Sequence, residues 1–137
     1  MKLTENETID YLRIHLTNEG WKINNADICF GQKQGIDLKA TKDGKTMLVE
    51  VKGAVADSKS PTSKNKDKFD SGQIKTHFGM AIVKMLVEKN KDSKNILAIA
   101  HPDDEDIRRV IGNLIPYLKN LSIRHYWVSE TKLNLEV

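Results

Sequence analysis

Two segments of the chain, residues 4–19 and 70–89, carry apolar side chains at the spacing of an amphipathic helix. In the first segment, Ile9, Leu12 and Leu16 fall on one stripe of a 3.6-residue helix. Such a stripe covers a hydrophobic core, so both segments are predicted to be helices that pack on a neighbouring layer of structure.

Period-two alternation predicts two strands, at residues 36–41 and 46–52. They flank Asp43 and Gly44, and an Asp-Gly pair is a strong signal for a two-residue hairpin turn. The two strands are therefore predicted to be antiparallel neighbours. Residues 96–100 form a continuous apolar run, which is typical of a central strand buried on both faces.

The remaining segments complete an alternating order of elements. Residues 21–30 predict a further short strand, a helix is expected after Pro102, and residues 123–128 predict a last strand. The order indicates an α/β fold with an αβββαβ core, in which helices flank a mixed central sheet, plus a C-terminal helix and strand. Because no repeat or linker divides the chain, residues 1–137 are predicted to form a single domain.

Composition narrows the class of protein. The 137 residues are 39% hydrophobic and 30% charged, enough for a core that needs no disulfide. The single cysteine, Cys29, excludes an intramolecular disulfide and a cysteine zinc cluster. The chain has no apolar run approaching the ~20 residues of a membrane span, and its N-terminus does not resemble a signal peptide. We therefore expect a cytoplasmic protein with no membrane association.

Positive charge is concentrated in one part of the chain. Residues 58–76 hold five lysines and two aspartates, so this segment alone accounts for the formal net charge of +3. Most of it belongs to a polar stretch, residues 53–69, that is long enough to be a functional loop. The lysines either neutralise nucleic-acid phosphates or belong to a solvated loop. They are Lys59, Lys64, Lys66, Lys68 and Lys75.

The candidate chemistry lies on the predicted hairpin. Glu50 and Lys52 are two residues apart on one strand, so both side chains leave the same face. A turn at Asp43-Gly44 places Asp37 approximately opposite Glu50. Two converging carboxylates, with water and a substrate phosphate, are the ligands of a small octahedral Mg²⁺ site. Lys52 would then lie beside the metal, where an ammonium group positions water or balances charge on a phosphate.

These residues resemble a known family. Two runs, Gly35-Ile36-Asp37-Leu38 and Glu50-Val51-Lys52-Gly53, with twelve residues between Asp37 and Glu50, are similar to the D-x(n)-E-x-K signature of the PD-(D/E)xK nucleases, the restriction-endonuclease-like superfamily. The predicted αβββαβ order also resembles the common core of that family, over about the first 100 residues. The resemblance implies an endonuclease that hydrolyses DNA phosphodiester bonds with Mg²⁺ or Mn²⁺. It assigns Asp37 and Glu50 as metal ligands and Lys52 as the catalytic lysine.

The resemblance extends to two helical residues. Glu5 shares the angular range of the apolar stripe of the first helix and corresponds to an acid found there in several branches; as an alternative, it is a first-turn acid favoured by the helix dipole. Gln73 resembles a glutamine that borders the active site in some branches. Ile36 stands where the proline of the family name would be, although many members have Gly-x-Asp instead. By analogy with relatives that cut two strands, a homodimer is expected.

Two other functions stay open. One is a catalytically inactive nucleic-acid-binding or protein-interaction domain on the same fold. The other is a non-catalytic α/β interaction domain, in which Asp37, Glu50 and Lys52 form only a structural salt bridge. His77 shares the helix face of Gln73 and either contacts phosphate or is a hydrogen-bonded structural residue. His101 is expected to have a turn or cap role.

Overall fold

The computed structural model describes residues 2–24, 35–56 and 68–137. Most of the predicted strand at 21–30 and much of the lysine-rich segment lie outside these ranges. The individual residues of the sequence analysis that lie outside them are Cys29, Lys59, Lys64 and Lys66.

Six strands form a mixed sheet in the order β1-β2-β3-β4-β5-β6, with helices on both faces. This confirms the predicted α/β class and the αβββαβ order of the core. No helix in the described ranges has both the length and the apolar character needed to cross a bilayer. The elements are α1 (Glu5–Asn18), β1 (Lys22–Ile23), β2 (Leu38–Lys42), β3 (Lys45–Val51), α2 (Ser71–Lys91), β4 (Ile96–Pro102), α3 (Glu105–Ile111), a 3₁₀ helix (Gly112–Leu121), β5 (Ile123–Val128) and β6 (Leu133–Leu135).

The predicted hairpin is confirmed, and its turn sets the register of β2 against β3. Asp43 and Gly44 have φ values of 53° and 78°, as the two central residues of a type I′ turn require. Leu38 pairs with Val49, so the preceding residue, Asp37, faces Glu50. β1, β2 and β3 are antiparallel, whereas β3, β4 and β5 are parallel.

Alternating side chains of the strands feed two separate hydrophobic cores. On one face, Val49 and Val51 pack with the apolar stripe of α1. On the other face, Leu48 and Ile99 pack with α2, α3 and the 3₁₀ helix. Strand β4 lies between two parallel neighbours and is buried on both faces, as its apolar run predicts. Because Glu50 has the same parity as Leu48, it belongs to the face covered by α2.

The C-terminal part contains the helix expected after Pro102 and one strand that the sequence did not predict. The helix is α3, which covers residues 105–111, and the chain then tightens into a 3₁₀ helix that contains Pro116. Proline lacks an N–H and cannot continue an α-helix without loss of a hydrogen bond. The short strand β6 was not predicted. Asp104 caps α3, since its side chain accepts hydrogen bonds from two backbone N–H groups of the first turn.

Gly53 allows the start of α1 to approach the end of β3. The backbone N–H of Ala54 donates to the Leu3 carbonyl at 2.8 Å, and Thr4 pairs with Val55 in an isolated parallel bridge. A Cβ atom at Gly53 would lie 2.8 Å from the Thr4 carbonyl carbon and closer still to a backbone nitrogen. This contact places the first turn of α1 beside the carboxyl end of β3.

We expect Gly53→Ala to lower the free energy of unfolding by about 1–3 kcal/mol, because the added methyl group meets rigid backbone. Urea denaturation would measure the change. The control is Gly79→Ala in α2, where a Cβ meets no atom within 4 Å. That substitution should stabilise the protein by up to about 1 kcal/mol through helix propensity. Equal unfolding free energies for Gly53→Ala and the wild type would contradict the close approach.

Candidate active site

Asp37 and Glu50 meet at the open end of the hairpin. Asp37 immediately precedes β2, and its Oδ2 accepts a hydrogen bond from the backbone N–H of Val51 at 2.9 Å. Glu50 lies on the opposite strand, and only 6% of it is exposed. The two carboxyl groups lie close enough for the charge of Glu50 to raise the pKa of Asp37. The structure therefore brings together the two acids that the sequence pairs.

The electrostatic environment of Asp37 disfavours its negative charge. Its pKa is raised to about 7, first by burial and then by the charge of Glu50, with a smaller effect from Glu5. The hydrogen bond from Val51 opposes this rise. Burial and a neighbouring like charge both make the ionised form of this acid unfavourable. A cation bound beside it would stabilise the ionised form, so the site favours cation binding.

Two lysines lie against the Glu50 carboxylate. Lys52 Nζ is 3.3 Å from Oε2, and Lys84 Nζ, from α2, is 2.9 Å from Oε1. Lys84 also donates a hydrogen bond to the Gly35 carbonyl. Oε1 is buried, and within the described part of the chain no donor is aligned for a hydrogen bond to it. The contact with Lys84 is thus an ion pair without hydrogen-bond alignment.

Two cavities open beside this cluster. A cavity of about 260 Å³ is lined by Glu5, Lys52 and His77 among others. A second cavity, of about 760 Å³, is a groove between β3 and α2, and its lining includes Glu50, Lys52 and Lys84. Lys52 borders both cavities. Both cavities therefore give solvent access to Lys52, and the larger one also to Glu50 and Lys84.

His77 packs against a neighbouring aromatic ring and borders a cavity. Its ring packs edge-on against Phe69, with 4.6 Å between the ring centroids, while the residue borders the smaller cavity. Burial lowers its pKa, and the positive charge of Lys52 lowers it further. Both effects favour the neutral imidazole, which borders a cavity that Glu5 and Lys52 also line.

The structure does not bring Gln73 into the cluster. Gln73 lies in the first turn of α2, where its side-chain oxygen accepts a hydrogen bond from the Asp70 N–H in a capping box. It shares the helix face of His77 and Lys84, but it is exposed and occupied by the cap. A glutamine three residues after an N-cap aspartate favours a capping box, in which its side chain accepts a hydrogen bond from the backbone N–H of the aspartate.

Of the five predicted DNA-contacting lysines, two are described. The side chain of Lys68 is 65% exposed and lies 3.7 Å from an Asp106 oxygen. Lys75 is exposed on α2. An exposed ion pair such as that of Lys68 is weak, so both ammonium groups are available to a polyanion at small cost.

His101 does not have the turn or cap role expected of it. It lies on buried strand β4, and its Nδ1 is 2.8 Å from Nε2 of His125 on β5, with the rings stacked. Burial, with a contribution from Lys52, lowers the pKa of His101 to about 3, and the pKa of His125 is also well below its usual value. The pair is a neutral, buried hydrogen bond in the sheet, close to Lys52.

The donor set at Asp37 and Glu50 fits a hard divalent cation. Both residues supply carboxylate oxygens, and the buried Oε1 of Glu50 has no aligned hydrogen bond among the described residues. No group of three or more His, Cys, Asp or Glu side chains arranged to hold a metal occurs in the described ranges. Mg²⁺ commonly keeps several water molecules and binds through one or two carboxylates plus substrate phosphate. Two protein acids are therefore a sufficient set for that ion.

Comparison with known proteins shows the fold. No family model matches the chain, and no curated protein sequence matches it. Two crystal structures match over 93% of this chain and 95% of their own length. One is an XisH family protein from Nostoc punctiforme, with 17% identity and a TM-score of 0.54. The other is an FdxN element excision controlling factor protein from Anabaena variabilis, with 15% identity and a TM-score of 0.53. At these identities the similarity establishes a shared architecture across nearly the whole chain.

Lys84 is the residue of the cluster that sequence reasoning missed. It lies seven residues after His77, which is two helical turns, and so it borders the apolar stripe of α2 on the same side as that histidine. That shared position is the signal that would have found it. The contact itself joins residues 34 positions apart, so only the packing of α2 on β3 creates it.

We expect Asp37→Asn to stabilise the metal-free protein at neutral pH. The folded state keeps a proton on Asp37 up to about pH 7, whereas the unfolded chain loses it near 3.8, so this residue costs stability as pH rises between those values. The slope is at most about 1.4 kcal/mol per pH unit. Urea denaturation in EDTA should therefore show a gain for the variant at pH 8 that disappears near pH 4.

The control for this experiment is Asp10→Asn, because Asp10 is an exposed aspartate on α1. Asp10→Asn should not reproduce the gain in stability at pH 8 that is expected of Asp37→Asn. A gain for Asp37→Asn that is constant with pH would show that Asp37 does not titrate near neutrality.

Proposed function

We propose that the chain is a Mg²⁺- or Mn²⁺-dependent endonuclease that hydrolyses phosphodiester bonds in DNA, with an active site of the PD-(D/E)xK type. The observation that carries the proposal is the convergence of Asp37 and Glu50, with Lys52 Nζ 3.3 Å from the Glu50 carboxylate. A structural salt bridge would need only one acid and one amine. The second buried acid, whose pKa is raised to about 7, adds a cost that a cation site explains.

Each residue then has a defined role. Asp37 and Glu50 would hold the divalent ion, which supplies a Lewis acid for the phosphate and lowers the pKa of bound water. Asp37 would hold the ion in its ionised form, which a cation beside it favours. Lys52, at the border of both cavities, orients the attacking water and neutralises the charge that develops on the phosphate oxygens. Glu5 adds negative charge near Asp37 and strengthens the attraction for a cation.

DNA is the proposed substrate on two grounds. Exposed lysines, Lys68 and Lys75, supply sequence-independent attraction for a phosphate backbone. One protein with the same fold is named an FdxN element excision controlling factor, and this name supports a role in DNA transactions for this chain. Neither ground selects a DNA sequence or structure.

One observation favours a different function, an inactive DNA-binding or protein-interaction domain. Both oxygens of Glu50 already face ammonium groups, from Lys52 and Lys84, so its charge is compensated without a metal ion. A protein of this kind would bind Mn²⁺ too weakly to raise its melting temperature and would cut no nucleic acid.

We expect Glu50→Gln to fold and to lose cleavage by about 100-fold or more, since removal of one preorganised electrostatic group costs that much in many active sites. The assay is conversion of supercoiled plasmid to open-circular and linear forms with Mg²⁺ or Mn²⁺, together with linear, branched and single-stranded DNA. EDTA should abolish cleavage by the wild type.

The matched control is Glu88→Gln. Glu88 also lines the groove on α2 and pairs with Lys91 at 3.4 Å, so its loss changes the same charge. It should leave cleavage within about twofold of the wild type. Equal cleavage by Glu50→Gln and the wild type would reject the assignment of Glu50 as a ligand, and no cleavage of any substrate by the wild type would favour the inactive domain.

A further inference from the structure

The second lysine at Glu50 comes from a different layer of the fold than the first. Lys84 projects from α2, places Nζ 2.9 Å from Oε1, and also donates to the Gly35 carbonyl. Gly35 is two residues before Asp37 in sequence. One ammonium group therefore connects α2 to both segments that carry the carboxylates.

The burial of the partners is unequal. The Glu50 side chain is 8% exposed, whereas that of Lys84 is 32% exposed and borders the open groove between β3 and α2. A lysine has a flexible four-carbon stem and a strongly hydrated ammonium group. Glu50 is thus a fixed acid, and Lys84 is a cation that reaches it from the solvent side.

The geometry at Oε1 leaves this oxygen available. It is buried, its 2.9 Å contact with Lys84 is not aligned as a hydrogen bond, and no other donor among the described residues is aligned to it. A buried carboxylate needs positive charge close by in any state of the protein. Lys84 meets that need through charge, without a directional bond that would lock the oxygen.

We infer that Lys84 is a tethered cation that occupies the place of the divalent ion at Glu50 in the metal-free protein and competes with it. This inference rests on the proposed function, because it concerns the same carboxylate pair. Two positive charges at one carboxylate oxygen repel each other, so Lys84 must withdraw into the groove when a divalent ion binds. Lys84 consequently lowers the affinity for the metal and keeps the pair neutralised until a metal arrives. Lys84 acts through its charge at Glu50, and its action is measured on binding of the ion.

The test is Mn²⁺ titration of the full chain by isothermal calorimetry, without nucleic acid. Lys84→Met keeps the length of the apolar stem and removes the charge. We expect it to bind Mn²⁺ about fivefold to tenfold more tightly than the wild type, and to show a larger rise in melting temperature at a fixed Mn²⁺ concentration. Lys84→Arg keeps the charge and should stay within about twofold of the wild type.

Lys91→Met is the matched control. Lys91 is on the same helix, lines the same groove and pairs with Glu88 instead of Glu50. Its removal should change the Mn²⁺ affinity by less than about twofold. If Lys84→Met and Lys91→Met raise the Mn²⁺ affinity equally, the effect comes from lower positive charge along α2 in general. That result would overturn the inference. Circular dichroism of each variant, with Lys84→Gln as a second charge-removing substitution, checks that the fold is kept.

The outcomes separate this inference from the proposed function. Wild-type protein that binds Mn²⁺ and cleaves DNA, with equal or weaker binding by Lys84→Met and Lys84→Gln, would overturn only the role of Lys84, because that pattern is expected of a residue that holds Glu50 in position. Absence of Mn²⁺ binding by the wild type and by both charge-removing variants would overturn the metal site itself.

Discussion

Two carboxyl groups buried side by side are unfavourable unless protons or cations accompany them, and this constraint organises the end of the sheet where α1, β3 and α2 meet. The pKa of Asp37 is raised to about 7, so this residue keeps its proton up to that pH. Glu50 pairs with one ammonium group from its own strand and with another from α2. The arrangement is costly for a protein that uses these residues only for stability, because apolar side chains of similar size would pack there without the cost.

The carboxyl groups lie at β3, the strand where the sheet changes from antiparallel to parallel pairing. β3 is antiparallel to β2 on one side and parallel to β4 on the other. The hairpin brings Asp37 opposite Glu50, and the parallel pairing leaves the carboxyl end of β3 open, next to the start of α1. Gly53 completes the site, because the absence of a side chain there allows the first turn of α1, with Glu5, to lie against this end. The hairpin, the parallel pairing of β3 with β4 and the close approach at Gly53 therefore bring Asp37, Glu50 and Glu5 together.

The parts of the fold that follow from short stretches of sequence were predictable. The alternation on each side of Asp43-Gly44 is sufficient to set the hairpin register, and with it the meeting of Asp37 and Glu50. Contacts between distant segments were not. Lys84 reaches Glu50 only because α2 crosses that face of the sheet, and His101 meets His125 only because β4 and β5 are parallel neighbours. Gln73 was predicted to border the active site, but it forms a capping box with Asp70 at the start of α2. The local hydrogen bonds of this cap determine the position of its side chain.

The buried acids and the buried histidines act on stability in opposite directions. The histidine pair His101 and His125 is neutral in the fold, so stability falls as pH drops below about 6.5, where these residues would gain protons in the unfolded chain. Asp37 is protonated in the fold, so stability falls as pH rises from about 4 to about 7. Between pH 4 and 6.5 the two effects oppose each other, and the cost of Asp37 is complete only above that range. Near neutral pH, the stability cost of Asp37 is therefore close to its maximum, and a divalent cation bound beside Asp37 would offset that cost by stabilising the ionised carboxylate.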